Sequence, residues 1–77
     1  MSQYDTLDQK IINKLASEGP MPLLFLNAQD VRRECDRLEA ETGREAFRIL
    51  DGRLQKLRKQ GRIAFNSKAG WALTHNA

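Results

Sequence analysis

From Arg44 to Gln60 the apolar side chains Phe47, Leu50, Leu54 and Leu57 recur at intervals of three, four and three, and directly after Gly61 the spacing changes to alternation. A helix turns about 100° per residue, so the first spacing draws one apolar stripe along a helix of several turns. Ile63 and Phe65, then Trp71 and Leu73, repeat instead at the period of strands with one covered face. Between them, Asn66-Ser67-Lys68-Ala69-Gly70 has the composition of a hairpin loop. The second half of the chain is thereby held to a helix over about 44–60, a glycine stop and a β-hairpin over about 62–74.

Upstream, Thr6-Leu7-Asp8-Gln9 reads as a capping box, and Leu7, Ile11, Ile12 and Leu15 follow at helical spacing until Gly19-Pro20. The first helix is expected over about 6–18. Leu23-Leu24-Phe25-Leu26, bounded by Pro22 and Asn27, reads as a short buried strand over about 23–26. Asn27 is a suitable N-cap for a second helix over about 28–40 carrying Val31, Cys35 and Leu38, and Gly43 marks a tight turn into the third. The expected fold class is α+β: three helices, a short strand after the first and a C-terminal hairpin.

Seventy-seven residues enclose one core, so a single domain over 1–77 is expected. An apolar share of 40% beside 30% charged residues is that of a globular chain rather than a disordered one. No apolar run approaches the roughly 18 residues of a membrane span, and the N-terminus lacks the basic start and apolar stretch of a signal peptide. The expectation is a cytoplasmic protein without membrane contact. Cys35 is the single cysteine, in step with Val31 and Leu38 as a small buried hydrophobe, and a zinc site would have to combine it with His75 and carboxylates. With no nucleophile–base set and no glycine-rich phosphate loop, neither enzyme activity nor a cofactor or metal is expected.

Charge divides the chain. Residues 1–43 hold five Lys/Arg against eight Asp/Glu, a balance of −3, whereas residues 44–77 hold eight against two, a balance of +6. Such asymmetry suits a polyanionic partner, although a solvated helix rich in cations looks the same in sequence.

The succession of helix, short strand, helix, tight turn, helix and hairpin, with Leu54-Gln55-Lys56-Leu57-Arg58-Lys59-Gln60-Gly61-Arg62-Ile63 followed by Gly70-Trp71-Ala72-Leu73-Thr74, resembles the winged-helix family of helix-turn-helix proteins. The resemblance implies that the third helix enters the major groove of DNA while the hairpin, or wing, touches backbone or an adjacent minor groove. On a helical wheel Arg44, Arg48, Gln55 and Lys59 share one strip away from the apolar stripe. Arginine pairs with guanine, glutamine with adenine, and lysine suits phosphate. On the wing, Arg62 and Lys68 are candidates for phosphate contact, whereas Asn66 and Ser67 serve turn chemistry equally well. The expected DNA-binding residues are therefore Arg44, Arg48, Gln55, Lys59, Arg62 and Lys68. Arg53, Lys56 and Arg58 fall on other sides of the helix as supporting charge, and Asp51 borders the strip with the opposite sign.

A small transcriptional regulator that binds double-stranded DNA is the function this implies. The alternative is a winged helix used as a protein-interaction module, an adaptor, complex subunit or inhibitor whose basic strip docks on an acidic protein partner; the acidic second helix, unsuited to phosphate, favours such an accessory role. Trp71 alternates with Leu73 and is expected in the core of the wing rather than stacked on a base. Ile49 lies off the Phe47 stripe, and Leu23 to Leu26 offer more apolar surface than one strand face hides. That surface either packs under the first helix or forms a homodimer contact.

Overall fold

A computed structural model describes residues 3–74 of the chain, in the order α1 (Asp5–Glu18), α2 (Leu23–Leu26), α3 (Gln29–Thr42), α4 (Ala46–Lys59), β1 (Ile63–Asn66) and β2 (Gly70–Leu73). The architecture is a small α+β one, helices with a two-stranded antiparallel hairpin at the C-terminal end. Helix α3 packs on both α1 and α4, β1 lies against α4, and β2 reaches α1. Leu7, Ile11 and Leu15 of α1, Val31, Cys35 and Leu38 of α3, and Leu50, Leu54 and Leu57 of α4 meet in one core closed by Ile63 and Trp71 of the hairpin. Trp71 is 6% exposed, so the indole is a core residue, as its alternation with Leu73 suggests. Among the described residues no helix is long and apolar enough to cross a membrane. His75, named above as a zinc partner that Cys35 would need, lies outside the described residues.

Helix α1 starts one residue before the expected position, with Tyr4 at the N-cap and no side-chain cap bond, so Thr6 lies inside the helix rather than capping it. Asp8 is turned into the protein. Its Oδ1 accepts from Arg53 Nε at 2.9 Å and its Oδ2 from Arg53 Nη2 at 2.6 Å, a bidentate pair joining α1 to α4. The two side chains are only 12% and 15% exposed, and the Tyr4 ring sits 5.2 Å from the guanidinium carbon. Donation of its hydrogen bonds to the Asp8 carboxylate raises the Arg53 pKa above its ordinary value, against the opposing effect of burial. Removing one partner of such a pair strands a buried charge. Asp8→Ala is expected to lower the unfolding free energy by roughly 3 kcal/mol, while the apolar double replacement Asp8→Leu, Arg53→Met stays near wild type. Urea denaturation checks both, and a loss of less than about 1 kcal/mol in the single variant would contradict the role given to the pair.

The strand expected over 23–26 is instead the single helical turn α2. The extended residue is Met21, whose N–H donates to the Trp71 carbonyl at 3.0 Å and whose carbonyl accepts from Trp71 N–H at 2.8 Å. Pro22, with ψ 163°, ends this short pairing, and its carbonyl then accepts from Phe25 and Leu26. A strand would alternate its side chains in and out, but one helical turn buries only Leu26 and leaves Leu24 79% and Phe25 63% exposed. Met21 can approach β2 because Gly70 has no side chain: a Cβ there would lie 2.3 Å from the Met21 carbonyl oxygen.

Helix α3 begins after Ala28 rather than Asn27, and Gly43 ends it in the left-handed conformation, φ 77°, as the turn requires. The next helix starts at Ala46, two residues later than expected. Thr42 Oγ1 donates to the Leu38 carbonyl and accepts from Arg44 N–H, while Glu39 Oε2 accepts from Ala46 N–H, so both side chains staple the turn and hold residues 43–45 outside the helix. Along α4 the buried stripe is Ile49, Leu50, Leu54 and Leu57, and Phe47 is 51% exposed. Phe47 and Ile49 point nearly opposite ways from the axis, so only one of them can face the core. The Asp8–Arg53 pair and the packing on α3 roll the helix toward Ile49, which removes Ile49 from any dimer contact. Helix α4 closes in a Schellman motif, with Arg62 N–H on the Leu57 carbonyl and Gly61 N–H on that of Arg58.

Candidate nucleic-acid interface

Opposite the buried stripe, the outward face of α4 carries Arg48, Gly52, Gln55 and Lys59, each three or four residues from the next. At 1.5 Å per residue the strip from Arg48 to Lys59 is roughly 16 Å long. Arg48 and Lys59 are exposed and Gln55 is half-buried. Arg44 is exposed too, but it sits in the turn before the helix, so it flanks the strip rather than belonging to its wheel. Beyond the other end, the exposed Arg62 leads into β1. The pairs Ile63–Leu73, Ala64–Ala72, Phe65–Trp71 and Asn66–Gly70 fix the hairpin register and place Lys68 at its tip.

Asn66 belongs to the turn itself: its Oδ1 accepts from the N–H groups of Lys68 at 2.7 Å and Ala69 at 3.3 Å. The hairpin is tied back to α4 through Thr74, whose N–H donates to the Arg62 carbonyl at 3.2 Å and whose hydroxyl donates to the Gly61 carbonyl. Lys68 and Arg62 are thus held on a braced element. Phe65, 54% exposed, leans on Trp71 with ring centroids 5.1 Å apart.

Most of these cations are free of carboxylates. Arg48 Nε lies 3.9 Å from Glu45, a loose and exposed contact, and among the described residues no ion pair engages Arg44, Lys59, Arg62 or Lys68. On α3, by contrast, Arg37 is shared between Glu34 at 2.5 Å and Glu41 at 2.6 Å. Asp51, at the border of the strip, is exposed and not paired with Arg48, so its charge subtracts from the local potential. Arg53, expected as supporting charge, is withdrawn into the pair with Asp8, whereas Lys56 and Arg58 stay exposed on the flanks.

One residue of the face, Gly52, was not among those expected. Arg44, Phe47, Arg48 and Gly52 border one shallow open depression, and Gly52, Gln55, Lys56 and Lys59 border a second, so Gly52 stands at the junction of both. An interior glycine in a helix otherwise free of it was the sequence signal. Cys35 lies far from this chemistry in kind: burial first, then Asp36 and Glu34, push its thiol up to about 11, so at neutral pH it is a protonated core side chain. Compared with known proteins, the chain matches no family model, no curated protein and no solved structure.

Proposed function

We propose that the chain is a winged-helix protein that binds double-stranded DNA, a small transcriptional regulator in which α4 lies in the major groove and the β1–β2 wing follows the backbone. The observation that carries the reading is the set of exposed cations on α4, its leading turn and the braced hairpin: Arg44, Arg48, Lys59, Arg62 and Lys68, with little or no internal neutralisation. Cations already satisfied by carboxylates gain little from phosphate, but unpaired ones release the counterions of DNA on contact. Three packed helices and a hairpin joined to Met21 suit the winged-helix arrangement, with α2 as one added turn between the first two. Gln55 and Arg48 are the residues of the strip able to read base edges, and the remaining cations position the duplex.

Four phosphate contacts imply a slope of log K against log salt near −3.6, or about a 150-fold loss of affinity between about 50 and 200 mM salt. Fluorescence anisotropy with a labelled mixed-sequence duplex measures it. Absence of binding at the lower salt, or binding indifferent to salt, would overturn the proposal. The exposed Leu24 and Phe25 of α2 favour, as a second reading, an interaction module that docks on a protein partner, and a folded chain without DNA affinity would turn attention to it.

A further inference from the structure

Gly52 occupies the middle of a 14-residue helix, the least favourable place for glycine because it leaves the backbone free and adds no side chain. Nothing in the fold requires it there. Its φ is not in the left-handed region, and a Cβ built on it would have no heavy atom within 4 Å beyond its chain neighbours and its own helix backbone. It is exposed, four residues after Arg48 and three before Gln55, at the junction of the two depressions on the outward face.

We infer that Gly52 is a notch in the leading edge of α4 that lets the helix backbone seat against the floor of the major groove, bringing Arg48 and Gln55 within reach of base edges. The inference rests on the DNA-binding reading above and adds the residue that sets the depth of docking. The major groove is about 12 Å wide and a helix with its side chains is about 10–12 Å across, so a side chain at the centre of the leading edge props the helix outward. A neighbour that reaches the groove floor only when the helix is seated deeply then loses its hydrogen bonds. The stability forgone by keeping a glycine in the helix is the counterpart of this closer approach.

The test compares wild type, Gly52→Ala and Gly52→Gln for thermal melting and for anisotropy with a labelled mixed-sequence duplex at about 50 mM salt. Gly52→Ala is expected to melt about 4 °C or more above wild type and to bind at least about fivefold more weakly, with Gly52→Gln weaker again. Equal affinity in all three proteins overturns the notch and leaves the DNA reading standing. A lower melting temperature for Gly52→Ala also overturns it, because the glycine then has a use in the fold. Wild type that fails to bind the duplex sinks the DNA reading and the notch with it.

Discussion

Gly70→Ala is expected to be the most damaging single-methyl change in the chain, lowering the melting temperature by at least about 12 °C, equivalent to about 3 kcal/mol in a domain of this size. Two costs coincide at this position. The backbone has φ 91°, a conformation costly for any residue with a Cβ. The added carbon would also meet the Met21 carbonyl oxygen at 2.3 Å, its carbon at 2.5 Å and Pro22 N at 2.6 Å. These are backbone atoms and cannot swing aside as a flexible side chain could. Relief requires Met21 to part from β2, which breaks the two Met21–Trp71 hydrogen bonds of 2.8 and 3.0 Å and unseats Trp71 from the core. Gly43→Ala provides the contrast, since φ is 77° there but no atom lies within 4 Å of the new carbon, so only the conformational cost of about 1–2 kcal/mol applies. Thermal denaturation of the two variants separates the effects, and equal losses would contradict the part given to the Met21 contact.

What the sequence reveals and what it conceals divides along the range of the interactions. The stop at Gly43, the glycine that ends α4 and the hairpin around Asn66 are written locally, in the residue types a turn demands, and the fold places them within a residue or two of expectation. Period alone leaves a four-residue apolar run such as Leu23–Leu26 undecided between strand and helical turn. That choice is made elsewhere, by Gly70 admitting Met21 to the sheet edge and Pro22 turning the chain afterwards. The rotation of α4 is likewise set from a distance. Both Phe47 and Ile49 fit a plausible stripe, and Asp8, 45 residues before Arg53, helps select the one that buries Ile49. A capping motif is also a weaker constraint than tertiary structure: α1 begins ahead of Thr6, with Asp8 committed to Arg53. Of the site, Arg48, Gln55 and Lys59 are legible from the wheel and found together, and Arg44 joins them from the turn. Gly52 escapes because a residue without a side chain adds nothing to a count of charges.

Reversing two charges on the strip gives the largest expected functional effect. Arg48 and Lys59 are exposed near opposite ends of α4, away from the core and from the Asp8–Arg53 pair, so Arg48→Glu with Lys59→Glu alters the face and not the fold. Only the loose contact with Glu45 is lost, and an exposed pair of that kind contributes no more than about 1 kcal/mol. The base-edge contact of Arg48 and the phosphate contact of Lys59 both become repulsive, which is expected to weaken binding by at least about 100-fold and to flatten the salt slope by about one. Anisotropy of wild type and the double variant against the same mixed-sequence duplex at low salt, with melting temperatures recorded alongside, tests the assignment of the face most directly. A nucleic-acid interface on this face predicts salt-sensitive binding by wild type and its loss in a variant that melts within a few degrees of it. Undiminished binding by the folded variant, or no binding by wild type, would contradict the claim that α4 and the wing form a nucleic-acid interface.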